Sequence, residues 1–326
     1  MDGSIARPRP LLALAVRLAT AAVLATMGML VKLAGERGAH LLELIFWRQA
    51  LTVVAVVGVL AAWRRLSTIR TRRIGAHARR AAYGITGMMF VYGAVMLLPL
   101  PEATAISFTA PFFAVMISVL MFGEKVGLYR WGAVMLGFAG VLVITSPGFG
   151  LAAGSAIDPW GAAVGLVAAF LVALISFQVQ DLNTTESPWS IVFWFSAITA
   201  PLMALALPFV SGAHDAGTWG IILAMALCGA LAQIMLTTSL RFGSAAVILL
   251  MDYTSLLWAT FYGWQVFGRA APASLWIGAP LIIGAGALIA WRERELARKK
   301  ARPAAVSEPP SPQHLDSACK HKGGPT

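Results

Sequence analysis

Long apolar stretches separated by short polar linkers run through almost the whole chain. A helix needs roughly 20 apolar residues to cross the hydrocarbon core of a bilayer. Runs of about that length occupy ten parts of the sequence: 11–35, 43–63, 80–98, 102–122, 129–147, 159–180, 189–210, 218–239, 244–267 and 271–291. The pattern therefore predicts an all-α integral membrane protein with ten transmembrane helices.

A hydrophobic sequence segment that occurs twice divides the chain into two halves. One copy covers residues 101–125 and the other covers 243–269, and each is followed by an apolar segment containing several glycines. Each half holds five predicted spans, so the second half must enter the membrane from the opposite side. We expect two inverted five-helix repeats at 11–147 and 159–295, after a cytoplasmic N-terminus at 1–10. A disordered cytoplasmic tail is expected at 301–326.

Composition agrees with a membrane protein, since 59% of residues are hydrophobic and 12% are charged, against about 25% charged residues in soluble domains. The net charge of +11 comes from basic residues that mostly occupy linkers on one predicted side. That side collects Arg7, Arg9, Arg64, Arg65, Arg70, Arg72, Arg73, Arg79, Arg80, Lys125, Arg130, Arg241, Arg292, Arg294, Arg298, Lys299, Lys300 and Arg302, against Arg37 and Arg269 on the other. The excess places both termini in the cytoplasm and the protein in the inner or plasma membrane. It indicates topology rather than nucleic-acid binding.

Several classes of chemistry have no support in the sequence. The two cysteines, Cys228 and Cys319, are too few for a thiolate metal site, and the five histidines fall in linkers or the tail. No GxxxxGK[ST] loop and no HExxH motif occurs. We therefore expect no enzyme activity, no metal and no cofactor, and energy supplied by an ion gradient or by solute exchange.

The order of these motifs resembles the drug/metabolite transporter superfamily, in its EamA-type branch. The matching stretches are 101–105 leading to Pro111, Gly123-Glu124, Trp131-Gly132 with Gly137 and Gly140, Val31-Lys32-Leu33, Phe46-Trp47-Arg48, 233–242, 245–268, and Gly278 with Gly284 and Gly286. The second copy departs from the first at Leu256 and Arg269, where the proline and the glutamate would stand. The resemblance implies ten helices, small amphipathic metabolites as substrates, and a central cavity framed by the third, fourth, eighth and ninth spans.

Ionisable side chains inside predicted spans are the first candidates for substrate binding, because a charge in a membrane is costly. Asp252 lies near the middle of the ninth span and could hold a substrate amine or a proton, or could instead form hydrogen bonds to a neighbouring helix. Arg48 in the second span could bind a carboxylate or phosphate, pair with Glu43, or extend to the interface. Lys32, near the outer end of the first span, could contact substrate or extend to the interface.

Neutral side chains complete the predicted site. Tyr92, Tyr253 and Trp258 could stack against a substrate ring or cation, although aromatic residues also form lipid-facing belts. Gln233 could bind ligand or join two helices. Pro111, within the fourth span, is the hinge candidate.

These features together predict a secondary active transporter that moves an amino acid-, vitamin- or nucleoside-like metabolite by alternating access. Its partners are a small-molecule substrate and the lipid bilayer, with coupling to protons or to exchange. An exporter of drug-like compounds or amino acids is the alternative, and an integral-membrane enzyme is the rival of another class. The sequence leaves open the substrate, the direction, the coupling ion and whether the protein forms a homodimer.

Overall fold

The computed structural model describes residues 10–122, 128–145, 158–239, 254–269 and 273–306, and this part of the chain is helical. The helices are α1 Pro10–Glu36, α2 Leu41–Ala62, α3 Ile74–Leu97, α4 Leu100–Ser107, α5 Ala110–Phe122, α6 Leu128–Thr145, α7 Pro159–Asn183, α8 Pro188–Ala204, α9 Leu207–Val210, α10 Ala216–Ser239, α11 Thr254–Gln265 and α12 Ala273–Val306. A single 3₁₀ turn, Leu66–Ile69, precedes α3.

Within the residues that the structure describes, six segments are long and apolar enough to cross a membrane. They are Leu18–Glu36, Leu41–Ala62, Ile74–Leu97, Leu100–Leu120, Pro159–Asn183 and Ala216–Met235. Shorter apolar helices, Trp131–Val143, Pro188–Ala204 and Ala273–Leu288, lie within the predicted fifth, seventh and tenth spans, and α11 lies within the ninth. The prediction of an all-α membrane protein is confirmed, whereas the count of ten spans stays a prediction.

The fourth predicted span is broken into α4 and α5 at Phe108 and Thr109. Pro111 occupies the first turn of α5, where its missing N–H costs no helical hydrogen bond, whereas a helix continued through it would clash with the carbonyl four residues back. The Thr109 hydroxyl donates to the Ile106 carbonyl at 2.7 Å, and the Thr109 carbonyl accepts from the Phe112 amide at 2.9 Å. The break is therefore bridged by local hydrogen bonds, and a hinge motion at this point stays a prediction.

Side-chain caps fix the starts of three helices in the second half. Asp158 accepts from the amides of Trp160 and Gly161 at the start of α7, and Ser187 accepts from Ser190 at the start of α8. Asp215 caps α10. The hydrogen bond from the Thr218 hydroxyl, and those from the amides of Thr218 and Gly217, hold the pKa of Asp215 below its usual range.

Helices of the first half, α1–α6, pack directly on helices of the second half, α7–α12. The main pairs are α6 with α12, α1 with α10, α3 with α7, and α2 with α8. Glycines allow some of these close approaches: a Cβ at Gly140 would lie 2.8 Å from the Gly278 carbonyl oxygen and 2.7 Å from Cγ1 of Ile282. A Cβ at Gly161 would lie 2.7 Å from Cδ2 of Leu98. The core therefore runs between the halves rather than within each one.

Polar contacts join the two halves at both ends of the bundle. At one end, here called the Arg73 end, Arg73 Nη2 lies 2.8 Å from Asp181 Oδ2. The Thr71 hydroxyl of the same linker donates to Glu186 at 2.6 Å. At the opposite end, here called the His214 end, His214 Nε2 lies 2.9 Å from Oε2 of the fully buried Glu43. Both ends are therefore closed by contacts between side chains from different halves.

The contact between α6 and α12 can be tested with a pair of matched glycine substitutions. We expect Gly140→Leu to lower the free energy of unfolding by about 1–3 kcal/mol, because the new side chain must push α12 away. Gly132→Leu on the same helix should have little effect, since a Cβ there meets nothing within 4 Å. Thermal unfolding of the purified variants in detergent measures the difference. Equal stability of both variants would contradict this packing.

Candidate functional site

A cavity of about 160 Å³ lies between the two halves of the bundle. Its walls come from α1, α2 and α3 of the first half and from α7, α8 and α10 of the second. The lining residues are Met27, Arg48, Arg80, Gly84, Gly87, Met88, Val91, Tyr92, Val172, Ile175, Phe195 and Gln233. The resemblance implied a frame of the third, fourth, eighth and ninth spans. Among the described residues α3 and α10 line this cavity, whereas α4 and α5 contribute no lining residue to it, so the full frame stays a prediction.

Arg48 enters the cavity from α2 and lies across α10. The stem fits there because α10 has a glycine at the crossing: a Cβ at Gly229 would lie 2.8 Å from the Arg48 Nε and 2.9 Å from its Cγ. Nη2 of Arg48 donates to Oε1 of Gln233 at 3.5 Å, and Nη1 lies 3.2 Å from the sulfur of Met88. These are long or weak contacts for a guanidinium, and its Nε is buried without a hydrogen-bond partner.

Arg80 is the second guanidinium of the cavity. The sequence pattern places it at the first residue of the third span, on the cytoplasmic side, whereas α3 begins at Ile74 and Arg80 lies almost two turns inside the helix. Its guanidinium stacks on the ring of Phe195, with Cζ 4.3 Å from the ring centroid. Nε and Nη1 of Arg80 are buried and have no hydrogen-bond partner. A sequence signal existed, since Arg80, Gly84, Gly87 and Val91 recur at helical spacing.

Neither guanidinium has an acidic partner within the described part of the chain. The ion pairs there join Arg73 with Asp181, His77 with Glu186, and His214 with Glu43. An arginine at the centre of a membrane helix costs about 2.5–3.5 kcal/mol on insertion scales. The cavity therefore carries concentrated positive charge on side chains that retain unused N–H donors.

Two further predicted residues, Tyr92 and Gln233, also reach the cavity. Tyr92 is buried on α3, and its hydroxyl lies 3.9 Å from the sulfur of Met27 and 3.8 Å from that of Met225. Sulfur accepts hydrogen bonds only weakly, so this hydroxyl is an available donor for a better acceptor. Gln233 faces Arg48 from α10.

Lys32 does not line this cavity. Its Nζ donates to the carbonyl oxygens of Leu98 at 2.8 Å, Val95 at 3.3 Å and Met96 at 3.4 Å. These belong to the last turn of α3 and the residue after it, where carbonyls lack partners within the helix and carry partial negative charge. The buried ammonium of Lys32 therefore caps a neighbouring helix.

The remaining predicted residues lie elsewhere or outside the described residues. Trp258 sits on α11, does not line the cavity, and is 41% exposed. Pro111 starts α5 away from the cavity lining. Asp252 and Tyr253 fall within 240–253, outside the described residues. Among the residues described, no group of three or more His, Cys, Asp or Glu side chains could hold a metal ion.

Comparisons with known proteins agree with this architecture. The model of the EamA-like transporter family matches residues 11–146 and again 159–291. A riboflavin transporter of Vibrio cholerae is 28% identical over 256 residues, which cover 77% of this chain and 83% of that protein. A riboflavin transporter of Rhizobium johnstonii is 30% identical over 242 residues, which cover 72% and 76%.

A relative that is named as an exporter is also similar. The pseudopaline exporter CntI of Pseudomonas aeruginosa is 26% identical over 245 residues, which cover 74% of this chain and 83% of that protein. The family matches extend over most of the chain, and the cavity lies between the two matched regions. The chain therefore belongs to the EamA-like transporter family and is a multi-pass membrane transporter of small metabolites.

Proposed function

We propose that this protein is a secondary active transporter that binds a small organic metabolite in the cavity and moves it across the cytoplasmic membrane by alternating access. The observation that carries the proposal is the position of the cavity, which is lined by polar side chains from both halves, Arg48 and Gln233 among them. A site shared by two halves becomes accessible to opposite sides in turn when one half rocks against the other.

Two inverted repeats of five helices are part of this proposal, with boundaries at 11–147 and 159–295. In such an arrangement α1 corresponds to α7, and α3 corresponds to α10. The contacts of α1 with α10 and of α3 with α7 would then be symmetry equivalents. Leu98 also contacts Lys32 near the end of α1 and Gly161 near the start of α7, so α1 ends where α7 begins. Both observations support opposite orientations of the halves.

The Arg73 end is assigned to the cytoplasm in this proposal. The linker between α2 and α3 carries Arg64, Arg65, Arg70, Arg72 and Arg73. Positive residues in short linkers are retained on the cytoplasmic side during insertion. Both termini are then cytoplasmic, and the bacterial origin of the relatives supports the inner membrane.

Alternating access requires that the contacts at one end open while those at the other stay closed. The pair of Glu43 and His214 would close the outer end, and the pair of Arg73 and Asp181 would close the inner end. Pro111 is the proposed hinge, because the helix is already interrupted beside it.

Ligand pockets commonly measure roughly 300–1,000 Å³. The cavity of about 160 Å³ therefore suits a small metabolite or a state that widens on opening.

The proposed substrates are vitamin-, amino acid- or nucleoside-like metabolites. Similarity to riboflavin transporters favours a heterocyclic vitamin as the first compound to test. Export of an amino acid-like or drug-like compound is the second candidate, and similarity to the pseudopaline exporter favours it. Arg48, Tyr92 and Gln233 are the predicted residues proposed for binding, and Arg80 joins them.

Transport through this cavity can be tested by filling it. We expect Val91→Trp to reduce substrate exchange to the level of protein-free vesicles, because Val91 lines the cavity and the indole would occupy its volume. Counterflow of labelled riboflavin, S-adenosylmethionine and amino acids into proteoliposomes measures this. Val54→Trp is the matched control, since Val54 is 70% exposed on α2. A Val91→Trp variant that transports like the control would contradict this binding site.

Proton coupling through Asp252 makes a separate prediction. If Asp252 carries the coupled proton, then Asp252→Asn should retain substrate exchange but lose the dependence of net uptake on a pH gradient, because an amide cannot titrate. Asp158→Asn is the control, since asparagine is an equally good helix cap and the charge change is the same. Uptake is measured with and without an imposed gradient. Unchanged pH dependence in Asp252→Asn would exclude this coupling site.

A further inference from the structure

Arg48 and Arg80 bring two positive charges to one cavity, and each keeps N–H groups for which the described part of the chain offers no acceptor. The buried donors are Nε of Arg48 and both Nε and Nη1 of Arg80. The protein groups that Arg48 does contact are neutral: the amide oxygens of Gln49 and Gln233 and the sulfur of Met88. A buried guanidinium normally has a carboxylate or phosphate against it.

The direction of the Arg80 side chain is unusual for its position. Side chains on a helix lean towards its N-terminus, which for α3 is the Arg73 end. An arginine near a helix end also tends to extend towards the nearest water. Arg80 does the opposite, since its Nη1 occupies the space that a Cβ at Gly84 would need, one turn further into the bundle. The side chain therefore points into the cavity rather than out of it.

The Phe195 ring leaves the edge of the Arg80 guanidinium, which carries the N–H groups, uncovered. The ring covers one face of the planar group, at 4.3 Å from Cζ, and the N–H bonds lie in the plane. A carboxylate or phosphate approaches a guanidinium in that plane and accepts two parallel hydrogen bonds. The same Gly84 position would also clash with Phe195 if it carried a Cβ. Gly84 thus leaves space for both the Arg80 guanidinium and the Phe195 ring that stacks on it.

We propose that the transported metabolite is a small organic oxyanion whose carboxylate or phosphate binds Arg48 and Arg80 together. The Tyr92 hydroxyl supplies a neutral donor, as its hydrogen bonds to the described residues are to the sulfurs of Met27 and Met225. The other lining side chains are mostly apolar and suit the uncharged body of the substrate; they include Met27, Met88, Val91, Val172 and Ile175. This inference rests on the proposed function and adds the charge of the substrate to it.

An internal carboxylate is the alternative source of negative charge. Asp252, which the sequence places in the ninth span, lies outside the described residues. If it neutralised the two arginines, a substrate would need no charge, and charged and uncharged ligands of the same shape would bind alike. The two cases therefore differ in a measurable way.

The test compares pairs of compounds that differ in the anionic group alone. Nicotinate with nicotinamide, riboflavin 5′-phosphate with riboflavin, and AMP with adenosine are bound to the purified full-length protein, and affinity is measured by calorimetry. The variants are Arg48→Gln, Arg80→Gln and Gly84→Ala, the last of which moves Arg80 without changing the charge. Arg79→Gln is the matched control, because Arg79 is exposed on the same helix. Thermal unfolding verifies that each variant folds.

We expect the anionic member of at least one pair to bind about tenfold or more tightly than its neutral partner. Arg48→Gln and Arg80→Gln should each remove that preference, while Arg79→Gln keeps it. Gly84→Ala, whose Cβ displaces Arg80 and also meets Phe195, should weaken the anion more than its neutral partner, whereas a merely structural defect would weaken both alike. Equal affinity within every pair, or a preference that survives both arginine substitutions, overturns the proposal.

The same compounds distinguish failure of this inference from failure of the transporter proposal. If Arg80→Gln transports the neutral compound of a pair as well as the unchanged protein does, the transporter proposal stands and the anion site is overturned. An anion that binds through both arginines but never crosses proteoliposomes would keep the anion site and overturn transport.

Discussion

The interior of a bilayer contains no water to which a polar group can hydrogen-bond, and this constraint accounts for most of the structure. Backbone groups satisfy one another within helices, so the described chain is helical. Where a helix ends inside the protein, a side chain must supply the missing partner. Lys32 does so for the last carbonyls of α3, and the Thr109 hydroxyl does so for the Ile106 carbonyl at the break before α5. Polar side chains inside the bundle can therefore serve to satisfy helix ends.

The two arginines of the cavity belong to a smaller group of buried side chains with polar atoms that no described residue satisfies. Lys32 and Arg48 look alike in the sequence, since both are basic residues in apolar runs, yet their surroundings differ. Three carbonyl oxygens surround the ammonium of Lys32, whereas amide oxygens and a sulfur surround Arg48. A cation whose N–H groups already donate to protein oxygens has little donor capacity left for a substrate. The distinction between a structural and a binding cation is thus made by the acceptors around it.

The contacts between the two halves determine which parts of the bundle can open in the proposed transport cycle. Charged or polar pairs close the bundle at the His214 end and at the Arg73 end, and glycine contacts such as that of Gly140 hold α6 against α12 between them. The partly exposed pair of Arg73 and Asp181 can separate at modest free-energy cost, whereas the buried pair of Glu43 and His214 can separate only if water enters to solvate it. A glycine contact between two helices has no such flexibility. Movement in the proposed cycle would therefore open the ends around a rigid helical contact.

The sequence by itself determined the all-helical membrane fold, the approximate spans and the family, because hydropathy and motif order are properties of contiguous residues. It also identified Arg48, Tyr92 and Gln233, which the structure brings to one cavity. Only the tertiary structure revealed Arg80 as a cavity residue and Lys32 as a helix cap. The direction of a long side chain depends on what stands beside it, here Gly84 and Phe195 for Arg80 and the end of α3 for Lys32. Those neighbours come from other turns and other helices, so no local pattern encodes them.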